Sequence, residues 1–512
     1  MTTTLFRHGR VYGGSGPATA LAVEDGRIAY VGHDDGASAF ENADEVVELH
    51  GRLVTPAFVD AHVHTIRTGF RSTQLDLTGL ASLTDVLDAL STWGRDRGAG
   101  ALVIGQNWDE TTWPEGRPPS GAELERAAPG VRAMLTRVDG HSAIVSPSLA
   151  GAVPGLTAME GFAADGRVER TAHHAVRDFT AAELTDDDLL DAARAACQEM
   201  AAAGIASFHE AAAPHIGPER ELDLVRQAAE ESGLRATLYW GELGAVEKAH
   251  RLGVAGLAGD LVADGAFGSR TAALSAPYAD RPDTCGHAYV TPEQVRDHVV
   301  ACTRAGLQAG FHAIGDAALD AIAEGFEQAA AGLGVGPVAQ AGHRLEHVEM
   351  PSERVIATMA RLGVVASVQP MFDALWGGPD GMYAARLGDR WRGTIPLRAL
   401  HEAGVGLALG SDSPVTSISP WDAVRAAAHH HDPDQRLPVA VAFRAHTHGS
   451  AVAGRDAVAG VLAVGRRADL AVWDTPAGLV DGLPDLAPGA PVPSLCRLVA
   501  RGRTLQQTEE VG

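Results

Sequence analysis

Lysine is almost missing from this 512-residue chain: Lys248 is its single lysine, and every other cationic side chain of that kind is arginine. Any chemistry that needs a lysine amine is therefore confined to one position. Cysteine is sparse as well, with Cys197, Cys285, Cys302 and Cys496 scattered. Without C-x-x-C spacing they form neither a metal knuckle nor a redox pair and read as small buried hydrophobes. Positive charge is in deficit, since Lys+Arg 41 against Asp+Glu 65 leaves a formal net charge of -24. Such a surface repels phosphate backbones and anionic membranes, so neither nucleic acid nor membrane is an expected partner. No segment approaches the apolar length of a membrane span, and Met1-Thr-Thr-Thr-Leu-Phe-Arg-His lacks the apolar core of a signal peptide. The expected compartment is the cytoplasm. What is abundant is core material: 46% hydrophobic residues, enough for one large domain with accessories.

The first segment reads as short strands. Leu21 to Glu24 and Arg27 to Val31 flank Asp25-Gly26, a dipeptide suited to the positive φ values of a tight hairpin turn. Strand-like runs return at Ala468 to Trp473 and Leu495 to Gly502, so the two ends are expected to share one sheet system, a small β-sandwich of residues 1–55 and 459–512. Between them strand and helix alternate. Thr185 and Asp188 form a capping box that opens a helix closed by Gly204, and Ile205 to His209 follows as a strand. Further strands are read at Arg235 to Trp240, Asp260 to Ala263, Leu307 to His312, His343 to Val348, Val364 to Gln369 and Val405 to Leu409. Helices such as Pro292 to Ala305 and Ser352 to Leu362 separate most of them. With the run Arg52 to Val59 this makes about eight units, which specifies an α/β fold with a parallel (β/α)8 TIM-type barrel over residues 56–458. Residues from 65 to about 179 do not fit the rhythm and are read as an insertion after the first strand, covering the barrel mouth.

At the end of the first barrel run stands Asp60-Ala61-His62-Val63-His64. Alternate residues of an extended segment share a face, so His62 and His64 point the same way, as two ligands of one metal ion must. The active site of such a barrel lies at the carboxyl ends of its strands. There the chain places His209-Glu210, Asp260, His312, His347, Gln369 and Asp412, each where an apolar run stops.

Together these motifs resemble the metal-dependent amidohydrolase superfamily, in particular the branch of N-substituted formamide deformylases and related uncharacterised hydrolases. The resemblance rests on Thr55-Pro-Ala-Phe-Val-Asp-Ala-His-Val-His64, Asp264-Gly-Ala-Phe-Gly-Ser-Arg-Thr-Ala272, His312-Ala-Ile-Gly-Asp316, Arg344-Leu-Glu-His347, Gly410-Ser-Asp412 and Val464-Gly-Arg-Arg-Ala-Asp-Leu470. It implies that His62, His64, His312 and His347 hold a divalent metal, zinc being the favoured ion, and that Asp412 touches the metal and moves the proton. A bound ion lowers the pKa of its water from about 15.7 towards about 7, and a neighbouring carboxylate takes the proton and returns it to a departing nitrogen. At the fourth strand many binuclear relatives carry a carboxylated lysine that bridges two metals, whereas this chain has Asp260. With Lys248 expected in a helix, Ala245 to Arg251, a carbamate bridge is not expected. Either Asp260 is itself a metal ligand, or it supports a single-metal site from outside. One tight metal is favoured, with a second site left open.

The insertion carries Gly105-Gln-Asn-Trp108, Trp113 and Val138-Asp-Gly-His141, which match motifs near the mouth in the same branch. Trp108 and Trp113 are candidates for an apolar substrate wall or for plain packing. His141 is either a hydrogen-bond donor to the oxyanion or a turn histidine. Arg270 either orients substrate or pairs with Asp264, and Gln369 is a further substrate-binding candidate. Three other histidine groups are discounted: His446-Thr-His448 on a helix, His429-His430-His431 at a solvated helix end, and His173-His174 on the insertion's surface. The expected activity is hydrolysis of a C–N bond in a small amide, N-acyl or N-formyl compound. Deamination of an aminoheterocycle is the alternative, though Ala313-Ile-Gly-Asp316 stands where several deaminases have glutamate. A non-catalytic binding relative would have lost ligands, and none is missing. A homodimer is compatible with such a barrel, and no segment specifies one.

Overall fold

A computed structural model describes residues 2–13, 18–95 and 97–508. Eight parallel strands form one sheet in which chain order is also spatial order: β1 (Phe58–Val63), β2 (Ile205–Ala212), β3 (Arg235–Trp240), β4 (Gly256–Leu257), β5 (Gln308–Ala313), β6 (Arg344–His347), β7 (Val365–Val368) and β8 (Leu407–Leu409). The ends meet through a parallel bridge between Val63 and Ser413, with Asp412 N donating to His62 O at 2.8 Å and His64 N to Ser413 O at 2.9 Å. The sheet is thereby closed into the expected TIM-type barrel. Helices buried on one face, among them Asp186–Ala202, Pro292–Ala305 and Glu353–Leu362, pack around it. Thr185 and Ser352 accept hydrogen bonds from backbone N–H groups of the first turn, satisfying donors that would otherwise be orphaned. None of the helices among the described residues is long and apolar enough to cross a membrane.

Two strand readings need correction. The run Arg52 to Val59 is split: Leu53–Pro56 pairs with Leu470–Asp474 in a separate sheet, and Pro56, with no N–H to give, ends it before the chain enters β1 at Phe58. The fourth strand is not Asp260 to Ala263 but the two residues Gly256–Leu257. Gly259, at φ +70°, breaks the extended run, and a Cβ there would stand 2.9 Å from Ala211 Cα. Asp260 therefore sits on the loop at the mouth, past the strand's carboxyl end.

Both chain ends contribute to two small sheets beside the barrel. One holds Thr3–Arg7, Ala20–Glu24, Arg27–Gly32 and Glu45–Glu48, and the other Arg10–Val11, Leu53–Pro56, Leu470–Asp474, Ser494–Ala500 and Arg503–Gln507. They share one apolar cluster that includes Phe6, Leu21, Ile28, Val54, Leu470 and Val499. The hairpin turn is where it was expected, Asp25 at φ 47° and Gly26 at φ 79°. After β1 comes the helix Thr65–Thr73, then a five-stranded sheet in the order Arg167–Glu169, Ser142–Val145, Arg132–Arg137, Leu102–Trp108, Leu75–Asp76. The inserted segment is thus more than a cover, because it buries apolar clusters of its own on that sheet.

Candidate metal centre

The carboxyl ends of five barrel strands bring His62, His64, Asp260, His312, His347 and Asp412 together. His62 Nε2 lies 3.4 Å from Asp260 Oδ1 and 3.3 Å from Asp412 Oδ1. His64 Nε2 is 3.4 Å from Asp260 Oδ2 and 3.1 Å from Asp412 Oδ1, and His312 Nδ1 is 3.6 Å from Asp260 Oδ1. His62, His64 and Asp412 form one compact set of donor atoms, and His62, Asp260 and His347 another.

Hydrogen bonds behind the ring set fix which nitrogen faces inward. His62 Nδ1 donates to Glu346 Oε2 at 2.9 Å, His347 Nδ1 to Gln369 Oε1 at 2.8 Å, and His312 Nε2 to Gly265 O at 3.4 Å. These acceptors carry no proton, so the neutral ring must place its N–H there and turn its lone pair to the centre. The atoms so directed, His62 Nε2, His312 Nδ1 and His347 Nε2, are buried without a hydrogen-bond partner, as are Asp260 Oδ1 and Asp412 Oδ1. Three lone pairs facing two carboxylate oxygens repel one another. Each buried polar group left without a partner costs about 1–3 kcal/mol. A cation removes that penalty. Ligands about 2.1 Å from one ion stand about 3.0 Å apart in octahedral and about 3.4 Å apart in tetrahedral geometry, close to the 3.1–3.6 Å found here. The donor set therefore fits a divalent metal.

Electrostatics agree. With no cation, Asp412 and Glu346 hold the His62 pKa above its ordinary value even though burial opposes this, so a proton competes for the place of the metal. His347, by contrast, is pushed down to about 3 by burial and by His312. Asp412 stays below the usual carboxylate range because His62 and His64 outweigh its burial. The backbone is bent to achieve the convergence: His347 has φ 71° and Asp412 φ 53°, left-handed values that non-glycine residues adopt where the surroundings impose them. Gly410 lets the strands close in, since a Cβ there would lie 2.5 Å from His62 N.

The centre opens into a cavity of about 320 Å³ between barrel and insertion, lined by His64, Asp260, His312 and Asp412 on one side and by His141 on the other. The profile of the amidohydrolase family matches residues 45–484. The chain belongs to that family. This amidohydrolase is 26% identical over 500 residues to the putative amidohydrolase YtcJ of Bacillus subtilis, covering 88% of this chain and 90% of that one. To the N-substituted formamide deformylase of Arthrobacter pascens it is 25% identical over 506 residues, with 89% and 90% covered. An uncharacterized metal-dependent hydrolase from Pyrococcus horikoshii has the same fold, with a TM-score of 0.74 at 24% identity over 96% of this chain and all of that one. It is a hydrolase of the amidohydrolase type.

Several candidate residues of the amidohydrolase lie elsewhere than expected. Trp108 and Trp113 do not wall the cavity; they are buried in the insertion's own core, their indole N–H groups donating to Leu135 O and Leu80 O. Arg270 pairs with Asp280 at 2.7 Å, not with Asp264, and is not among the cavity-lining residues. Asp264 instead accepts backbone N–H groups of Ala273, Ile314 and Gly315, and burial raises its pKa to about 6. Gln369 Oε1 is engaged by His347, its Nε2 is buried without a partner, and the residue is absent from the cavity lining. His141 is in place, its ring 5.1 Å from that of His312 and its pKa lowered to about 4 by burial and by His312. Lys248 lies on the helix Val246–Leu252 in ion pairs with Glu242 and Glu219. His209 accepts from Arg344 at 2.9 Å, and Glu210 accepts the Thr65 N–H, so both are structural.

Two dismissals also change. His430 is not solvated but 1% exposed, beside Asp373. His173 is buried and His174 half-buried, and both line the cavity, because the helix Arg170–Ala182 turns that face inward. Residues not anticipated are Glu346 and Arg344, which back His62, and Arg177 and His215 in the cavity wall. For the first two a signal was present, as both lie within Arg344-Leu-Glu-His347.

Proposed function

We propose that this amidohydrolase cleaves the C–N bond of a small amide, N-acyl or N-formyl compound. The observation that carries the reading is the set of converging lone pairs and carboxylate oxygens, of which those of His312, Asp260 and Asp412 belong to residues lining the cavity. His62, His64, His312, His347 and Asp260 would hold one divalent ion, with zinc favoured by the nitrogen and oxygen donors, and Asp412 faces the same point. Such an ion, when bound, lowers the pKa of water and polarises a carbonyl oxygen. Asp412 is ionised at neutral pH and opens on the cavity, so it can take a proton from attacking water and deliver it to the departing nitrogen. Neutral His141, across from His312, is placed to donate a hydrogen bond to the carbonyl oxygen as charge develops there. The name of the formamide deformylase relative supports the bond class.

Deamination is the weaker reading. Asp316, the first acid after His312, accepts the Ser275 N–H at 2.9 Å on the exposed side, away from the centre. The test is elemental analysis of wild type, His62→Ala and Asp260→Ala, with each assayed on N-formyl, N-acyl and aminoheterocycle panels. Metal-dependent release of an amine from the acyl compounds is expected. A well-folded wild type that takes up no metal after zinc reconstitution, or that acts on the heterocycles alone, ends this proposal.

A further inference from the structure

Four arginines line the cavity, and three are already neutralised. Arg67 pairs with Glu221 at 2.7 Å, Arg137 with Glu110 and Asp139 at 3.0 and 2.8 Å, and Arg170 with Glu160 at 2.7 Å. Arg177 has no carboxylate within 4.0 Å among the described residues. Its guanidinium donates to two backbone carbonyls, Gly140 O at 2.9 Å and His215 O at 3.5 Å, which position it without cancelling its charge. An arginine has five N–H donors, so its fork is left mostly unused. Burial and neighbouring Arg67 lower its pKa to about 10, and it remains a cation at neutral pH. Beside it the rings of His174 and His215 stand 5.3 Å apart, both neutral, with pKa values lowered to about 4 and about 3 by burial, and both cavity-lining. They add dipoles but no competing charge. Phe70, Leu184 and Ile216 add apolar surface to the same cavity wall.

We infer that Arg177 is a carboxylate-binding residue, and that the substrate is an N-acyl or N-formyl compound that carries a carboxylate. The inference rests on the C–N hydrolase reading above. A monoanion suits the site better than a phosphate, because one guanidinium supplies one positive charge and the planar fork matches a carboxylate's two oxygens.

The probes are pairs that differ only in the carboxylate: N-acetyl-leucine against N-acetyl-3-methylbutylamine, and the corresponding N-formyl pair, with the metal-loaded enzyme. In wild type kcat/KM favours the acid by about 10-fold or more, the worth of one charge-assisted hydrogen bond. In Arg177→Gln that ratio falls towards one, and Arg177→Lys retains part of it. A wild-type ratio near one, an unchanged ratio in Arg177→Gln, or equal loss in both variants overturns the assignment and leaves C–N hydrolysis standing. If wild type hydrolyses no probe, the hydrolase reading fails, and calorimetry with 4-methylpentanoate and 4-methylpentanamide decides the site alone. Tighter acid binding that is lost in Arg177→Gln sustains it, and equal binding of acid and amide refutes it.

Discussion

Glu346→Gln separates two tasks that one buried carboxylate performs. Its Oε2 accepts from His62 Nδ1 at 2.9 Å, while both oxygens engage Arg344 at 2.6 and 2.9 Å, and both residues are at most 1% exposed. The amide keeps the size and can still accept one bond, but it no longer strengthens the His62 lone pair nor balances the arginine. Loss of a partner behind a ligand weakens metal binding by about 10–100-fold, or about 1.4–2.7 kcal/mol. Unbalancing a buried ion pair costs about 3–5 kcal/mol of stability. The cost here falls at the lower end, because Arg344 keeps Ala61 O, Ser367 Oγ and His209 Nδ1 as acceptors. Chelator competition reads the first quantity and urea unfolding of metal-stripped protein the second. If affinity stays within about twofold of wild type while stability falls, Glu346 serves only Arg344, and the argument that it directs the His62 lone pair is wrong.

Asp412→Asn removes the proposed base but leaves an oxygen at the centre, so kcat should drop about 10²–10⁴-fold with metal content retained, as turnover and elemental analysis report together. Gly410→Ala drives a methyl against His62 N, 2.5 Å from the ideal Cβ, and should lower metal loading measured by elemental analysis. His298 is buried neutral, accepting from Gly244 N and donating to Leu257 O, and burial holds its pKa at about 4. The unfolded chain binds a proton near pH 6.5 that the native ring refuses, so stability falls as pH drops from about 6.5 to about 4, by at most about 3 kcal/mol from this group. His298→Gln, which can both accept and donate, should flatten that part of the urea-midpoint profile, and an unaltered slope would discount His298.

The barrel is legible in the chain because several aliphatic runs stop at polar residues at the barrel mouth, as at His62, His312 and His347. The Thr185 capping box and the Asp25-Gly26 turn are legible for a similar reason, since both are local chemistry. What depends on distant partners is not. Glu346 finds His62 across 284 residues and Gln369 finds His347 across 22, so an orienting role looks like any polar strand residue. Trp108 and Trp113 mislead because size signals burial without saying in which core, and the insertion has one of its own. His173 and His174 mislead because helical periodicity does not reveal which face meets the barrel.

The atoms that break a bond and those that choose which molecule is presented come from different stretches of chain. The candidate ligands stand at the mouth of a barrel closed between β1 and β8, whereas His174 and Arg177 arrive on a sheet-and-helix unit spliced in after a single strand, which also brings His141. Exchanging that unit between related chains is therefore an engineering handle on clientele, provided the incoming unit brings a histidine to the place of His141.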